Sequence, residues 1–221
     1  ISLTKELTKL KLKSEIGAAT SKQLSQQKLK LETISKKLSR YLSPQIHKQI
    51  FSGNEAAEIK SKRKKLTIFF SDIVGFTSIS DQLESEELTN ILNFYLNEMS
   101  KIALKFGGTI DKYIGDGLMI FFGDPDTSGI DQDAKNCVQM AVEMQNRMTE
   151  LQDYWGKNFG LKQTLKIRIG INTGYCTVGN FGSEDRLDYT AMGAQVNLAS
   201  RLEGISEPGS IIISEETYML V

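Results

Sequence analysis

Short apolar runs of strand length alternate with stretches of helical periodicity from Leu66 to the end of the chain. The predicted strands cover residues 66–71, 109–113, 118–122, 165–171, 177–181 and 210–213. The predicted helices cover residues 85–106, 131–152 and 195–205, and a last one begins near Ser214. Two hairpins are expected, one turning at Gly115-Asp116-Gly117 and one pairing 165–171 with 177–181. This order predicts an α+β sandwich, in which helices pack on a mainly antiparallel sheet.

The first quarter of the chain predicts a different kind of helix. Residues 1–51 are rich in Lys, Gln, Leu and Ser, with a weak interruption at Gly17 to Ser21. Leucines recur every seven residues, and other apolar residues follow two of them by three positions. These residues are Leu24, Leu31, Leu38, Ile34 and Tyr41. Such a heptad seam favours a parallel coiled coil with a second copy, although a single amphipathic helix lying on its own domain is an open alternative.

Pro44 starts a separate short helix that we expect to end near Phe51. A polar linker follows over residues 52–65 and closes on the basic run Lys62-Arg63-Lys64-Lys65. We interpret this run as a solvated edge that could also help to steer a polyphosphate substrate. The sequence therefore predicts a helical signalling region over 1–51, a basic linker over 52–65 and a globular domain over 66–221.

Charge is unevenly distributed although the formal net charge is zero. Of the 27 Lys+Arg and 27 Asp+Glu residues, positions 1–65 hold 16 and 5, and positions 66–221 hold 11 and 22. A basic segment can bind nucleic acid or anionic lipid, but these charges punctuate a helical pattern without interleaved aromatic residues. We therefore expect a solvated helix face and no nucleic-acid partner.

Composition predicts a folded protein, because 40% of residues are hydrophobic and 24% are charged. No apolar run approaches the length of a membrane-spanning helix, and no signal-peptide pattern opens the chain, so we expect a cytoplasmic domain. The chain starts at Ile1 and stops in mid-pattern at Val221, so we expect a longer protein in which any membrane attachment lies elsewhere.

The cysteines and the one histidine exclude zinc chemistry. Cys137 and Cys176 have no CxxC or Cys/His neighbours, which is typical of structural thiols in a reducing compartment. His47 stands apart from the acidic motifs, so a solvated or packing role is expected for it.

Two aspartates stand at the ends of apolar runs and close to glycine, namely Asp72, three residues before Gly75, and Asp116, between Gly115 and Gly117. Mg²⁺ is usually held by one or two carboxylates together with substrate phosphates. The backbone N–H groups of the turn over 73–77 would form an anion-binding nest beside Asp72. The pattern predicts a metal-dependent nucleotide triphosphate site, although each aspartate alone also fits a helix cap or an ordinary turn.

Four segments, in this order, resemble the signatures of the class III nucleotidyl cyclases, the catalytic domains of adenylate and guanylate cyclases. They are Phe70-Ser71-Asp72-Ile73-Val74-Gly75-Phe76-Thr77, Lys112-Tyr113-Ile114-Gly115-Asp116-Gly117, Arg168-Ile169-Gly170-Ile171-Asn172-Thr173-Gly174 and Asn197-Leu198-Ala199-Ser200-Arg201. The resemblance covers about residues 66–221. It implies the ferredoxin-like βαββαβ sandwich of that family, here preceded by a long coiled-coil helix.

By this resemblance, Asp72 and Asp116 bind two Mg²⁺ or Mn²⁺ ions per site, with the backbone of Ile73 as a further ligand. The triphosphate is held by the turn that follows, at Gly75, Phe76 and Thr77. Two such ions can activate an attacking oxygen and neutralise a leaving phosphate.

The resemblance also implies a reaction, in which the ribose 3′-oxygen attacks the α-phosphorus and pyrophosphate leaves. Asn197 orients the ribose, and Arg201 stabilises charge on the α-phosphate. The planar fork of an arginine suits that charge, because it can donate two parallel hydrogen bonds.

Lys112 and Thr190 occupy the two base-reading positions of the family. Lys112 can donate to N1 of adenine, and the hydroxyl of Thr190 can accept from the N6 amino group, so ATP is favoured over GTP. Many adenylate cyclases carry aspartate where Thr190 stands, and a hydroxyl can also donate, which softens the discrimination.

The resemblance further implies a homodimer with composite active sites. One subunit supplies the metal carboxylates, and its partner supplies the base-reading residues, Asn197 and Arg201. The helical region would then hold two domains together and pass a signal from an upstream sensor in the same chain. The alternatives are a guanylate cyclase, or a catalytically silent dimeric module that binds nucleotide. The acidic signature of a diguanylate cyclase is absent from the sequence.

Overall fold

The computed structural model describes residues 2–51, 60–183 and 185–221, without the side chains of 2–12, 14–16, 18 and 19. The chain divides into two compact units, Ile1–Ser52 and Gly53–Val221. Each unit is described by itself.

The first unit contains helices α1 (Ser2–Leu38) and α2 (Pro44–Phe51). Helix α1 runs through Gly17 without a break, so a join between two helices at Gly17 to Ser21 is wrong, whereas a stutter in the heptad register leaves the helix continuous and stays a prediction. Leu24 and Leu31 are 66% and 68% exposed, which leaves the predicted seam available to a partner. Tyr41 lies in the turn after α1, so the helical part of the seam ends at Leu38. The coiled coil itself stays a prediction.

His47 has a packing role within this unit. Its Nε2 lies 3.0 Å from the Ser35 hydroxyl, and its ring centroid lies 4.4 Å from that of Phe51. The lone histidine therefore helps to fasten α2 to the end of α1, in line with the packing role expected from the sequence.

The described part of the second unit contains six strands and six helices. The strands are β1 (Ser61–Ile73), β2 (Thr109–Ile114), β3 (Gly117–Phe122), β4 (Ile167–Gly182), β5 (Leu187–Met192) and β6 (Ile211–Ile213). The helices are α3 (Phe76–Ser80), α4 (Ser85–Lys105), α5 (Ile130–Glu150), α6 (Gln152–Phe159), α7 (Ala194–Gly204) and α8 (Glu215–Tyr218). This is the predicted α+β architecture.

The strands form one sheet in the order β2-β3-β1-β4-β5, and β6 pairs with β4. Every pair is antiparallel except β4 with β6. The sheet carries a hydrophobic core on each face. The larger core packs α4, α5 and α6 on one face, and includes Phe69, Tyr95, Met99, Met140, Met144 and Trp155. The smaller core packs α7 on the other face, and includes Leu66, Ile68, Phe121, Val178 and Ala199.

Strand β1 corrects the predicted boundary of the linker. The strand begins at Ser61, and its residues 61–65 pair with β4 from Gly179 to Tyr175. The basic run therefore lies inside the sheet, where alternate side chains point to opposite faces. Of the predicted linker, residues 52–59 lie outside the described residues.

Strand β4 corrects the second predicted hairpin. It is one continuous strand of 16 residues. Residues 177–181 were expected to pair with the strand at 165–171, but they lie in the same strand. Residues 167–179 of β4 pair with β1, and residues 177–182 pair with β5. The hairpin is thus β4–β5. The short helices α3 and α6 were not predicted.

The structure agrees with the other expectations for the core. Cys137 and Cys176 are free thiols, both buried, and burial raises the pKa of Cys176 to about 11. The methionines of α5 lie in the larger core. In the described ranges, no helix is both long enough and apolar enough to cross a lipid bilayer.

Candidate active site

The two predicted metal-binding aspartates are neighbours. Strand β1 ends beside the β2–β3 hairpin, whose two-residue turn carries Asp116. The backbone N–H of Ile73 donates to Asp116 Oδ2 at 2.9 Å, which ties the turn to the residue after Asp72. A Cβ atom on Gly117 would lie 3.1 Å from the Ser71 carbonyl oxygen, which is a tight contact, so glycine favours this close approach.

Arg168 holds Asp72 from the adjacent strand. The two residues are directly paired in the β1–β4 ladder. Arg168 Nε and Nη2 donate to Asp72 Oδ1 and Oδ2, each at 2.7 Å, in a bidentate fork. Glu203 Oε1, at the end of α7, lies 2.6 Å from Arg168 Nε. The orientation of the Asp72 carboxylate is therefore fixed by the protein itself.

Burial and neighbouring charges shift the pKa values of the ionisable groups around Asp72. Partial burial raises the pKa of Asp116, and the N–H of Ile73 opposes that rise. Burial and the nearby charge of Asp72 raise the pKa of Glu203 to about 7. Hydrogen bonding to Asp72 raises the pKa of Arg168 above its usual value, so the guanidinium stays charged. A divalent cation near Asp72 and Asp116 would offset the negative charge that these carboxylates share.

The donor set fits a hard divalent cation. Within the described residues no three His, Cys, Asp or Glu side chains form a metal-binding group. Mg²⁺ commonly takes only one or two carboxylates and fills its octahedron with water and phosphate oxygens. Each oxygen of Asp72 keeps a lone pair after accepting from Arg168, because a carboxylate offers about four acceptor positions. Asp72, Asp116 and the carbonyl of Ile73 can therefore serve as protein ligands.

The turn after Asp72 is only partly available to an anion. The N–H groups of Ile73 and Val74 donate to Asp116 and to the Lys166 carbonyl, so the expectation of a nest starting at Ile73 is wrong. Gly75 has φ of 71°, in the left-handed region, and directly precedes α3. The first N–H groups of a helix have no intrahelical acceptor, so Gly75, Phe76 and Thr77 remain the candidates for phosphate binding.

Helix α7 presents Asn197 and Arg201 on one exposed face, since the two residues lie four apart. The helix lies directly on β4 at Gly170. A Cβ atom there would stand 2.1 Å from the backbone nitrogen of Glu203. In the described ranges, no protein group forms a hydrogen bond or ion pair with the Asn197 or Arg201 side chain, so both are available to a ligand.

The two predicted base-reading residues lie on β2 and β5, and side chains connect these strands. Lys112 Nζ lies 2.9 Å from Asp188 Oδ2 and 3.4 Å from Asp111 Oδ1. The Thr190 hydroxyl donates to Asp111 Oδ2 at 2.6 Å. Partial burial lowers the pKa of Lys112, but Asp188 and Asp111 outweigh it and raise the pKa overall.

Sequence reasoning missed the acidic and basic partners of these residues. Arg168 and Glu203 stand in signature segments or beside them, but only the β1–β4 register and the packing of α7 bring them to Asp72. Asp111 precedes Lys112, and a charged residue after Ile110 inside a strand is the signal that could have singled it out. Asp188 had no comparable signal.

The family model described as "Adenylate and Guanylate cyclase catalytic domain" matches residues 59–221. That match includes all four signature segments and every candidate residue described above. The chain belongs to this family, the class III nucleotidyl cyclases. Its fold is the class III cyclase fold.

Both kinds of cyclase occur among its relatives. The adenylyl cyclase CyaB from P. aeruginosa is 59% identical, with a TM-score of 0.71, over 73% of this chain and 82% of that one. The guanylyl cyclase Cya2 is 41% identical, with a TM-score of 0.69, over 73% and 80%. An adenylate cyclase of Anabaena cylindrica is 35% identical over 159 residues, which are 70% of this chain and 30% of that protein. The chain thus spans less than a third of that relative.

Proposed function

We propose that this chain is the catalytic part of an adenylate cyclase, which converts ATP to 3′,5′-cyclic AMP and pyrophosphate. The observation that carries the proposal is the junction of β1 with the β2–β3 hairpin, where the Ile73 N–H joins the Asp72 strand end to Asp116. Family membership and the 59% identity to an adenylyl cyclase support it.

Mg²⁺ or Mn²⁺, two ions per site, would lower the pKa of the 3′-hydroxyl and neutralise the phosphate charges when bound. Asp72, Asp116 and the Ile73 carbonyl are the proposed ligands. Arg168 keeps the Asp72 carboxylate in one orientation, which lowers the cost of ordering the site when a cation arrives.

Exposed groups of this chain position the substrate for the reaction. The N–H groups of Gly75, Phe76 and Thr77 bind the triphosphate, and Asn197 donates to the ribose. Arg201 donates to the α-phosphate as its charge grows. The 3′-oxygen then forms the new bond to the α-phosphorus, the bond to the β-phosphate oxygen breaks, and the hydroxyl proton leaves to solvent.

The proposed active sites are shared between two subunits. Asp116 faces Ile73 on β1, whereas Lys112, in the same hairpin, faces Asp188 on β5. Tyr113 and Ile114, between them, are 49% and 55% exposed, which fits a surface covered by a second copy. We propose that Lys112 and Asp116 of one chain serve different active sites.

The leucines of α1 support dimerisation through a coiled coil. Leu24, Leu31 and Leu38 are all exposed, and they lie at heptad spacing. A sensor upstream in the same protein would act by changing the pairing of these helices. Replacing all three leucines by serine should shift the protein toward monomer in sedimentation equilibrium, and an unchanged dimer would contradict this role.

The proposed activity is tested by incubating the purified protein with Mn²⁺ and equal ATP and GTP, and separating the products. Cyclic AMP in excess over cyclic GMP is expected. Asp72→Ala and Asp116→Ala should each remove activity, because each deletes a metal ligand. Asp153→Ala, which removes an exposed aspartate on α6, is the matched control and should leave the rate unchanged.

The possible products separate the alternatives. Mainly cyclic GMP would overturn the base assignment and leave the reaction type intact. If a dimeric protein under the same conditions binds nucleotide but forms no cyclic product, the enzyme proposal fails and the silent signalling module is favoured.

A further inference from the structure

Strand β2 contains a β-bulge at Asp111. Ile110 pairs with Ile120 and Lys112 pairs with Met119, so Asp111 is an extra residue with no partner in the ladder. A bulge turns a side chain away from its regular direction and is often found beside an active site. Here the Asp111 side chain is fully buried, and it reaches β5 at the opposite edge of the sheet.

Asp111 Oδ2 accepts two hydrogen bonds from β5. The Thr190 hydroxyl donates at 2.6 Å, and the Ala191 N–H donates at 3.2 Å. A backbone N–H can only donate, so Oδ2 acts as an acceptor. Among the described residues, the only other acceptor near the Thr190 hydroxyl is the Ala191 carbonyl, at 3.5 Å, which makes a much weaker bond. The single proton of the Thr190 hydroxyl therefore points at Asp111.

A hydroxyl has one donor and two acceptor positions, so this bond leaves Thr190 with lone pairs alone for a ligand. Adenine presents an amino donor at C6, whereas guanine presents a carbonyl acceptor there. We propose that Asp111 is a specificity-positioning residue, which fixes the Thr190 hydroxyl as an acceptor and so favours adenine over guanine. The inference rests on the proposed cyclase function and on Thr190 reading the base.

The other oxygen of Asp111 acts on the second base-reading residue. Within the described residues Oδ1 is buried and has no hydrogen bond, and its nearest charge is the ammonium of Lys112 at 3.4 Å. Its charge favours the protonated form of Lys112, which is the donor that N1 of adenine requires. Asp188 also holds Lys112 in that form, so the Thr190 hydroxyl is the base-reading group that Asp111 alone sets.

A purely structural role would be to fasten β2 to β5, and a mutant cycle separates it from the proposed one. The variants are Asp111→Ala, Thr190→Val and the double variant, and the readout is the ratio of kcat/KM for ATP to that for GTP. Alanine removes the acceptor of the Thr190 hydroxyl, so the hydroxyl proton is free to turn toward the base. We expect Asp111→Ala to lower the ratio about two- to tenfold, which is the range of one neutral hydrogen bond.

In the Thr190→Val background, the same Asp111→Ala change should leave the ratio unaltered, because the hydroxyl it acts on is gone. An unchanged ratio in the single variant overturns the proposal. An equal fall of the ATP-to-GTP ratio in the parent and the Thr190→Val backgrounds also overturns the proposal, since Asp111 would then act without Thr190. Thermal unfolding of each variant shows whether it is folded.

A second measurement needs no variant, and so it holds even if Asp111→Ala does not fold. The unmodified protein is compared on N6-methyl-ATP and on the triphosphate of 6-methoxypurine riboside. Both keep the N1 acceptor and place a methyl group near C6, but only the first can donate there. A higher kcat/KM for N6-methyl-ATP is expected, and equality or the reverse order overturns the proposal.

The outcomes also separate this inference from the function on which it rests. If no nucleotide gives a cyclic product, the proposed function fails and the inference falls with it. If cyclic AMP forms but the ratio or the analogue order is wrong, only the role of Asp111 is lost.

Discussion

Asp72 is held at both oxygens by one guanidinium, and this contact decides how the candidate metal site is prepared. The fork from Arg168 leaves each carboxylate oxygen with a free lone pair, directed away from the arginine. Lysine would supply the same charge as a single point and could not fix both oxygens. Arg168 is thus a positioning residue, which acts on a cation through Asp72.

We expect Arg168→Lys to weaken divalent-ion binding about tenfold, within the range seen when the outer partner of a metal ligand is removed. The half-saturating Mn²⁺ concentration should rise in cyclase assays, and direct Mn²⁺ binding followed by electron paramagnetic resonance should weaken in parallel. Arg186→Lys, at an exposed loop position, is the control. Unchanged Mn²⁺ binding in the Arg168 variant would show that the fork is unimportant.

At this scale, the sequence marks some candidate residues locally and leaves the roles of others unmarked. Asp72 and Asp116 could be singled out because glycines and apolar runs mark them locally. The roles of Arg168 and Asp111 could not be assigned, because they depend on a register between distant strands and on a bulge. A local pattern fixes which face a side chain occupies, but not which residue lies opposite it.

At the scale of elements, the β2–β3 hairpin was predictable because its partners are adjacent in sequence. The pairing of strand β4 could not be predicted in this way. Both halves of its apolar pattern pair with β1, and only the second half pairs with β5. Strand β1 was predicted too short for a related reason. Its first residues are basic, and a lysine in a strand looks like a linker until its partner is known.

That partner is Asp124, in the segment after β3. Lys62 and Lys64 lie 3.0 Å and 2.6 Å from its buried Oδ2, and the Tyr189 hydroxyl donates to Oδ1. Burial alone would raise the pKa of Asp124, but these partners outweigh it and hold the pKa below the usual value. The basic end of β1 is therefore anchored to the sheet through one carboxylate.

We expect Asp124→Asn to lower the free energy of unfolding at pH 7 by about 1 to 3 kcal/mol, because the amide cannot pair with two lysines. A carboxyl with a depressed folded pKa stabilises the protein above its unfolded pKa and loses that effect as pH falls through the folded pKa. The difference from the parent protein should thus shrink below about pH 4. Urea unfolding at pH 7 and below about pH 4 measures this difference in the free energy of unfolding. Asp126→Asn, at an exposed neighbouring position, is the control. A pH-independent difference would mean that packing, not charge, is responsible.

At the scale of the whole molecule, the candidate residues in the second unit of a single chain form two groups. Asp72 and Asp116 lie where β1 meets the hairpin turn, and Lys112 and Thr190 lie where β2 meets β5. Lys112 and Asp116 are four residues apart in an extended hairpin, about 13 Å along a strand. A protein that divides one reaction between two such groups can be tested by mixing inactive copies.

We expect Asp72→Ala and Arg201→Ala each to be inactive alone and to recover activity when mixed under conditions that exchange subunits. A heterodimer then holds one site with both defects and one site with neither. Half of the dimers in an equal mixture are heterodimers, so about a quarter of the parent activity should return. Cyclic AMP formation against mixing ratio measures the recovery.

The matched control is a mixture of Asp72→Ala with Asp116→Ala, two defects in the same group. Every dimer in that mixture lacks a carboxylate in each site, so no activity should return. Recovery in both mixtures would require sites in which the two aspartates come from different subunits. Recovery in neither, despite demonstrated subunit exchange, would mean that Asp72, Asp116 and Arg201 of one chain serve the same site, and the proposal of active sites shared between two subunits would then be wrong.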